Sequence, residues 1–298
     1  MRKFKIGYFA DGPWSYKAFE KIIEDESISI AFIVPRSDSK DTTLFKYSQK
    51  YNIPYHKGIK VNSNEFYNIA SSYNCDLFVS MSFNQIFKNK IINLPICKTV
   101  NCHAGKLPFY RGRNILNWVL INDEKEFGIT VHFVDEGIDT GDIVLQRTYP
   151  INDSDNYNSL LQVAYIECAN ILYDAIKLIQ SGSCVAIKQK DIHPVGFYCG
   201  IRGEGDEIIN WNKSSREIFN FIRALCDPGP KATTSIKDSI IKINNARLIM
   251  DAPDYINTVG QVVGKTLDGY LIKTRDNIIE ILDIESDVKI NVGDKLGK

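Results

Sequence analysis

TVNCHAGKLPFYRGRNILNW (Thr99–Trp118) and GITVHFVDEGIDTGD (Gly128–Asp142) read as a strand, a loop and a helix, then a second strand that ends in a tight turn. On a strand, residues two apart face the same way, so Asn101 and His103 are presented side by side. The second strand can lie next to the first, which brings Asp139 of the Asp-Thr-Gly-Asp turn towards them. An amide, an imidazole and a carboxylate converging on one point suit acyl transfer. The amide donates to a developing oxyanion, the imidazole moves protons, and the carboxylate holds the imidazole and raises its basicity. Cys102 lies inside the pair, but strand alternation turns it to the opposite face and makes it a packing residue.

The segments before this stretch alternate between strand and helix patterns. Lys5–Ala10 reads as a buried strand and Asp11-Gly12-Pro13 as a turn. Ser15 is then placed to cap a helix carrying Phe19, Ile22 and Ile23. Apolar strands are expected at Ile28–Val34 and Leu77–Ser82, with helices at Leu44–Tyr51 and Glu65–Tyr73 and a short strand at Ile53–Tyr55. Such alternation implies an α/β protein built on a doubly wound, mostly parallel sheet. Further on, a helix is expected at Arg113–Asn122 and strands at Gly128–Val134 and Ile143–Tyr149. A long amphipathic helix over Tyr157–Gln180 carries Leu160, Leu161, Ala164, Cys168 and Ile171 on one face and closes at Ser181-Gly182-Ser183. Beyond about Gly205 the pattern changes. Asn212–Ser215 starts a helix over Arg216–Leu225, Asp227-Pro228-Gly229-Pro230 ends it, and short strands follow in the manner of a small barrel or sandwich. Two domains are expected, 1–205 and 206–298.

Bulk composition narrows the function. The 298 residues carry 36 Lys+Arg and 36 Asp+Glu, so no global basic field steers the chain to nucleic acid or an anionic membrane. The seven cysteines form no CxxC pair and read as free thiols of a reducing cytoplasm, neither a disulfide framework nor a zinc site. No metal is expected. The N-terminus does not read as a signal peptide, and no apolar run reaches the roughly 18 residues of a membrane span. A cytoplasmic protein is the expectation. GxGxxG is absent, which counts against a dehydrogenase. His132 reads as a structural histidine, and His56 and His193 as surface or loop residues. Tyr198, Trp211 and Pro228–Pro230 suit either a nucleotide pocket or ordinary packing.

Asn101-x-His103, Leu107-Pro108, Arg111-Gly112 and Asp139-Thr140-Gly141-Asp142 together resemble the folate-dependent formyltransferases, over nearly the whole chain. That family includes enzymes acting on methionyl-tRNA, on glycinamide ribonucleotide and on sugar nucleotides. Arg202–Ala232 looks like the linker and helix that join the core to the C-terminal domain of the tRNA and sugar enzymes. Val259–Gly297 resembles their small OB-like barrel. The implied fold is a Rossmann-like sheet domain followed by a smaller β-rich, OB-like domain. The resemblance makes His103 the acid/base, Asn101 the oxyanion donor and Asp139 the group that orients His103. It implies 10-formyltetrahydrofolate as donor, its pterin lying against the Gln85-Ile86-Phe87 loop and the turn Asp135, Glu136, Gly137, Ile138, Asp139. Arg113 aligns with a substrate-contacting arginine of the sugar enzymes, where a guanidinium suits a diphosphate. Asn114 and Lys106 join it as candidate acceptor contacts. Lys106 stands in a loop where the family usually reads His-Pro/Gly-Ser-Leu-Leu-Pro, so a role carried by that serine is not transferable.

Arg111-Gly112-Arg113-Asn114 leading to Asn117-Trp118 resembles the sugar-nucleotide branch. The tRNA branch reads Arg-Gly-Ala-Ala-Pro there and carries a basic insertion after the second strand. Here Val34–Leu44 is short and sets Arg36 and Lys40 against Asp38 and Asp41. The expected acceptor is therefore a UDP-, dTDP- or GDP-linked amino-dideoxyhexose, with a 4-amino-4,6-dideoxy sugar first, serving bacterial surface glycans such as lipopolysaccharide O-antigen. Nucleic acid and membrane are not expected partners, and a homodimer is compatible with the branch. Three other readings remain: a methionyl-tRNA formyltransferase, a catalytically silent module on the same fold, and a hydrolase that deformylates the folate.

Overall fold

The computed structural model describes residues 2–237 and 239–297. The chain starts β1 (Phe4–Ala10), α1 (Gly12–Ile23), β2 (Ile28–Val34), α2 (Thr43–Lys50), α3 (Asn64–Ser72), β3 (Leu77–Met81). All three strands are largely buried, as parallel strands with covered faces must be. β1 lies between β2 and β3, parallel to both. The ring of Phe9 meets those of Phe32, Phe66, Phe78, Phe83 and Phe87 edge-on at centroid separations of 5.1–5.9 Å. Ring quadrupoles favour this edge-to-face packing.

Two local expectations are corrected. Ser15 does not cap α1: Asp11 holds the N-cap, a proline sits in the first turn, and Ser15 Oγ donates to the Gly12 carbonyl at 2.7 Å. Pro13, with its fixed φ and missing N–H, starts the helix earlier than the apolar pattern shows. The segment 53–55 is no strand but a single parallel bridge between Tyr55 and Ile33, because Pro54 has no N–H to give a ladder.

After α4 (Asn89–Ile92), β4 (Thr99–His103) extends the sheet parallel to β3. Then come β5 (Arg111–Gly112), α5 (Ile115–Ile121), β6 (Glu126–Phe133), β7 (Ile143–Pro150), α6 (Tyr157–Gln180), α7 (Gln189–Ile192) and β8 (Tyr198–Cys199). The six-stranded order is β2-β1-β3-β4-β6-β7, with β6 antiparallel to β4. β5 and β8 form a separate parallel pair. The five apolar positions expected on one face of α6 are all buried.

The remaining chain holds α8 (Ser215–Leu225) and the strands β9 (Ala232–Ile236), β10 (Ser239–Leu248), β11 (Val262–Lys265), β12 (Tyr270–Lys273) and β13 (Ile278–Glu285). They form one antiparallel sheet ordered β11-β12-β13-β10-β9. Ile218, Ile222 and Leu225 of α8 join Trp211, Ile243, Ile272, Ile279 and Ile281 in its core. Two compact units result. One comprises residues 1–112, 127–149 and 162–199; the other comprises 113–126, 150–161 and 200–298. The second unit thus takes in 113–126, 150–161 and 200–205, all of which precede the expected division at 205–206.

α8 begins with a reciprocal cap. Glu217 N–H donates to Ser214 Oγ at 3.2 Å, and Ser214 N–H donates to Glu217 Oε2 at 2.9 Å. The Ser214 N–H, the Lys213 ammonium and the Ser214 hydroxyl hold the Glu217 carboxyl at about 2, below its ordinary 4.5. Ser214→Ala is expected to lower stability in urea unfolding by about 1 kcal/mol. The folded-state pKa is depressed, so the contribution of Glu217 is complete above the unfolded value and fades as pH falls towards 2. The wild-type/Ser214→Ala difference should narrow over that window.

Candidate active site

Strand β4 runs between β3 and β6, and its register against β6 pairs Asn101 with His132 and His103 with Thr130. Directly paired residues share a face, so Asn101, His103, Thr130 and His132 all emerge on one side of the sheet. Cys102 emerges on the other, where its Sγ lies 3.7 Å from the Cys168 carbonyl of α6. Both cysteines are buried, and burial pushes the Cys168 thiol well up. These thiols are packing groups.

Asp139 reaches the same point from the turn between β6 and β7. Asp135 Oδ1 braces that turn by accepting from Gly137 N–H at 3.1 Å and from Thr140 Oγ1 at 2.5 Å. Asp139 itself has φ +54°, a left-handed conformation that Asp tolerates better than most residues. At Gly141 a Cβ would run into the Phe133 carbonyl, so only glycine lets the turn close on β6.

The Asp139 carboxylate lies between two imidazoles. Its Oδ2 is 3.6 Å from His103 Nδ1 and its Oδ1 is 3.4 Å from His132 Nε2. Gly112 N–H donates to Oδ2 at 2.9 Å. Burial alone would raise the Asp139 pKa. The His103 charge, the His132 hydrogen bond and charge, and the Gly112 N–H outweigh it and hold the group well below the usual carboxylate range. His103 Nε2 lies 2.7 Å from the Tyr110 carbonyl, which can only accept, so Nε2 carries a proton. Gly105 permits that contact, since a Cβ there would collide with both His103 Nε2 and the Tyr110 oxygen. His132 Nδ1 likewise faces the Phe133 carbonyl at 2.8 Å, and Asn101 Nδ2 lies 3.3 Å from His132 Nε2.

Asn101, His103 and Asp139 are thus brought together, and His132 is a fourth member that reads from sequence as merely structural. Its signal is the register: two residues beyond Thr130 on β6, it stands directly across from Asn101.

The other candidate positions are placed as follows. The Gln85 amide is occupied with loop bracing, accepting from Val61 N–H at 3.1 Å and donating to the Ile59 carbonyl at 2.8 Å. Asn62 donates to the Ile86 carbonyl at 2.7 Å and accepts from Lys88 N–H at 2.8 Å. Phe87 is core, packed on Phe9 and Phe83, whereas Ile86 is 65% exposed. In the turn, Asp135, Glu136, Gly137 and Ile138 are exposed. Lys106 is half-buried, its Cα and Cβ seated over Gly128. Arg113 is exposed. Asn114, left-handed at φ +55°, uses Oδ1 to accept from Arg202 N–H at 3.0 Å. Among the described residues no group of His, Cys, Asp and Glu is arranged to hold a metal ion.

The family described as formyl transferase matches residues 20–176, and its C-terminal domain matches residues 203–293. The chain belongs to the formyl transferase family. A methionyl-tRNA formyltransferase of Clostridioides difficile (strain 630) is 28% identical over 94% of this chain and 92% of its own length. Among solved structures, a 4-N formyltransferase from Francisella tularensis is 25% identical with a TM-score of 0.63, covering 78% of this chain and 93% of that one. An N-formyltransferase from Helicobacter canadensis, solved with folinic acid and dTDP-3-aminofucose, shares the fold at a TM-score of 0.71 and 22% identity, over 95% of this chain and 100% of that one.

Two outcomes are expected for formyl transfer. Gly105→Ala displaces the His103 ring or the Tyr110 carbonyl, and should lower turnover about 100-fold while far-UV circular dichroism stays wild-type. Because the Asp139 pKa is depressed, its carboxylate interactions persist above the ordinary value near 4 and fail only below it. An acid limb centred above about pH 5 therefore belongs to another group and should survive in the residual activity of Asp139→Asn.

Proposed function

We propose that this chain transfers the formyl group of 10-formyltetrahydrofolate to the amine of a nucleotide-linked amino sugar, with a dTDP- or UDP-linked 4-amino-4,6-dideoxyhexose as first choice and bacterial surface glycans as the destination. The observation that carries the reading is the cluster of Asn101, His103 and ionised Asp139 on one face of β4 and β6, in a chain of the formyl transferase family.

The sugar amine attacks the formyl carbon, and a tetrahedral oxyanion forms. The Asn101 amide and the His103 N–H donate to that oxygen. The bond to the folate nitrogen then breaks as the doubly protonated His103 gives its Nε2 proton to that nitrogen, the proton lost by the amine replaces it on Nε2, and tetrahydrofolate departs with the N-formyl sugar. His103 Nε2 spends its hydrogen on the Tyr110 carbonyl in this structure. A charged oxyanion is a stronger acceptor than a neutral carbonyl, so exchanging that partner as the tetrahedral intermediate forms is favourable. Asp139, facing Nδ1, stabilises the imidazolium that donates from Nε2.

Electrostatics supports the sugar acceptor. Over 200–298 basic residues do not outnumber acidic ones. In the segment after β2, Arg36 is paired with Asp38 at 2.8 Å and faces Asp11 at 3.9 Å. Gripping an RNA backbone needs several uncompensated cations. The Francisella and Helicobacter proteins, a 4-N formyltransferase and an N-formyltransferase solved with dTDP-3-aminofucose, support the same class. The name of the Clostridioides relative favours methionyl-tRNA as the second reading.

Tetrahydrofolate release and product mass should be measured with dTDP-, UDP- and GDP-linked 4-amino-4,6-dideoxyhexoses, with methionyl-tRNA, and with no acceptor. Formylation of a nucleotide sugar is expected, and Asn101→Ala or His103→Ala should reduce it by about 100- to 1000-fold. Formylation of tRNA alone, formate release without acceptor, or full activity in His103→Ala would each overturn the reading.

A further inference from the structure

We propose that Gln189 is a positioning residue for formyl transfer, a buried amide that ties the Asp139 turn to the Tyr110–Gly112 segment and so sets the carboxylate against His103. The inference rests on the roles given above to His103 and Asp139.

Gln189 opens α7, lies outside both sequence stretches that carry the site, and is 4% exposed. Its Nε2 donates to the carbonyls of Asp139 and Gly141, both at 2.8 Å. Its Oε1 accepts from Arg111 Nε at 3.1 Å and from Nη2 at 2.7 Å. These partners fix the orientation of the amide, because two carbonyls require its NH2 end and a guanidinium requires its oxygen. Both hydrogens and both lone pairs are thus used. A buried polar side chain is costly unless it is paired in this way, and an apolar residue would fill the same space without that requirement.

The groups that Gln189 joins are the immediate backbone neighbours of the reacting atoms. Arg111 sits between Tyr110, whose carbonyl takes the His103 Nε2 hydrogen, and Gly112, whose N–H holds Asp139 Oδ2. Bracing the Arg111 guanidinium therefore braces both contacts. Tyr110 and Asp139 each have φ +54°. Residues with a Cβ keep that conformation only where their surroundings enforce it, and Gln189 bonds directly to one of these residues and to the neighbour of the other. Without the amide, the turn and the segment are free to separate and the carboxylate to drift from the imidazole.

Two variants test this. Gln189→Met keeps the length and removes all four hydrogen bonds, and Gln189→Glu keeps the acceptor for Arg111 while setting a carboxylate against two carbonyls. With 10-formyltetrahydrofolate and dTDP-4-amino-4,6-dideoxyglucose, kcat should fall about 10- to 100-fold while KM for both substrates stays within about threefold. The His103 ring-nitrogen resonances in NMR, which need no substrate, should move as the carboxylate leaves Nδ1, with those of His56 unmoved. In an Asp139→Asn background, Gln189→Met should cost less than about twofold further. Unchanged His103 ring-nitrogen resonances in the folded variants, or full additivity with Asp139→Asn, overturn the proposal. If Gln189→Met fails to fold, Gln189→Glu gives the same readouts. Full activity in His103→Ala would defeat the catalytic reading itself, whereas an essential His103 with wild-type behaviour in both Gln189 variants defeats only the role of Gln189.

Discussion

The contact between the Asp139 carboxylate and the imidazoles of His103 and His132 is the constraint that the first unit is built around. A buried carboxylate is expensive to leave ionised. Asp139 is nevertheless held well below the usual carboxylate range, so its partners outweigh the loss of water. Those partners come from separate parts of the chain: His103 ends β4, His132 lies on β6, and the Gly112 N–H comes from β5. Each must be placed to within a few tenths of an ångström, and that demand explains why the surrounding turns are so fully hydrogen-bonded.

Steric contacts account for much of the spacing that makes the two site-bearing stretches readable. His103 can reach the Tyr110 carbonyl only across a residue without a Cβ, and Gly105 supplies it. The turn carrying Asp139 closes on β6 only because Gly141 leaves room for the Phe133 carbonyl. Thr130 completes the lining by donating to the Gly105 carbonyl at 2.6 Å and accepting from Gln146 Nε2 at 2.8 Å. The loop after β4 is therefore anchored at several points, and the imidazole of His103, on the last residue of that strand, is held against it.

The charge pattern bears on the acceptor more than on the fold. Several cations near the ends of elements are already committed, as Arg216 is to Asp123 and Asp153 and Lys231 to Asp227 and Glu285. Lys273, fully buried, donates to the carbonyls of Asp276 and Asn277. These groups serve the second unit internally. A chain whose basic and acidic residues balance, with several cations paired internally, carries no net positive charge for a long polyanion to neutralise.

The order of strands and helices was legible because apolar periodicity and cap residues act locally. The spans of β2 and α6 match the expected ones residue for residue, and most others differ only at their ends. Ser15 and the 53–55 segment were misread where a proline overrode the local pattern. Asn101, His103 and Asp139 were legible for a related reason, since strand alternation and a glycine-bearing turn leave a trace in the letters. His132 and Gln189 left none. The place of His132 depends on the register of β6 against β4, and that of Gln189 on a loop folding back about fifty residues after the turn it braces. By itself, then, the sequence determined the element types, which follow from interactions within a few residues, and, through the family resemblance, the two-domain plan and three members of the cluster. That His132 and Gln189 join them was decided only by tertiary structure, because register and loop closure are long-range contacts that no local pattern encodes.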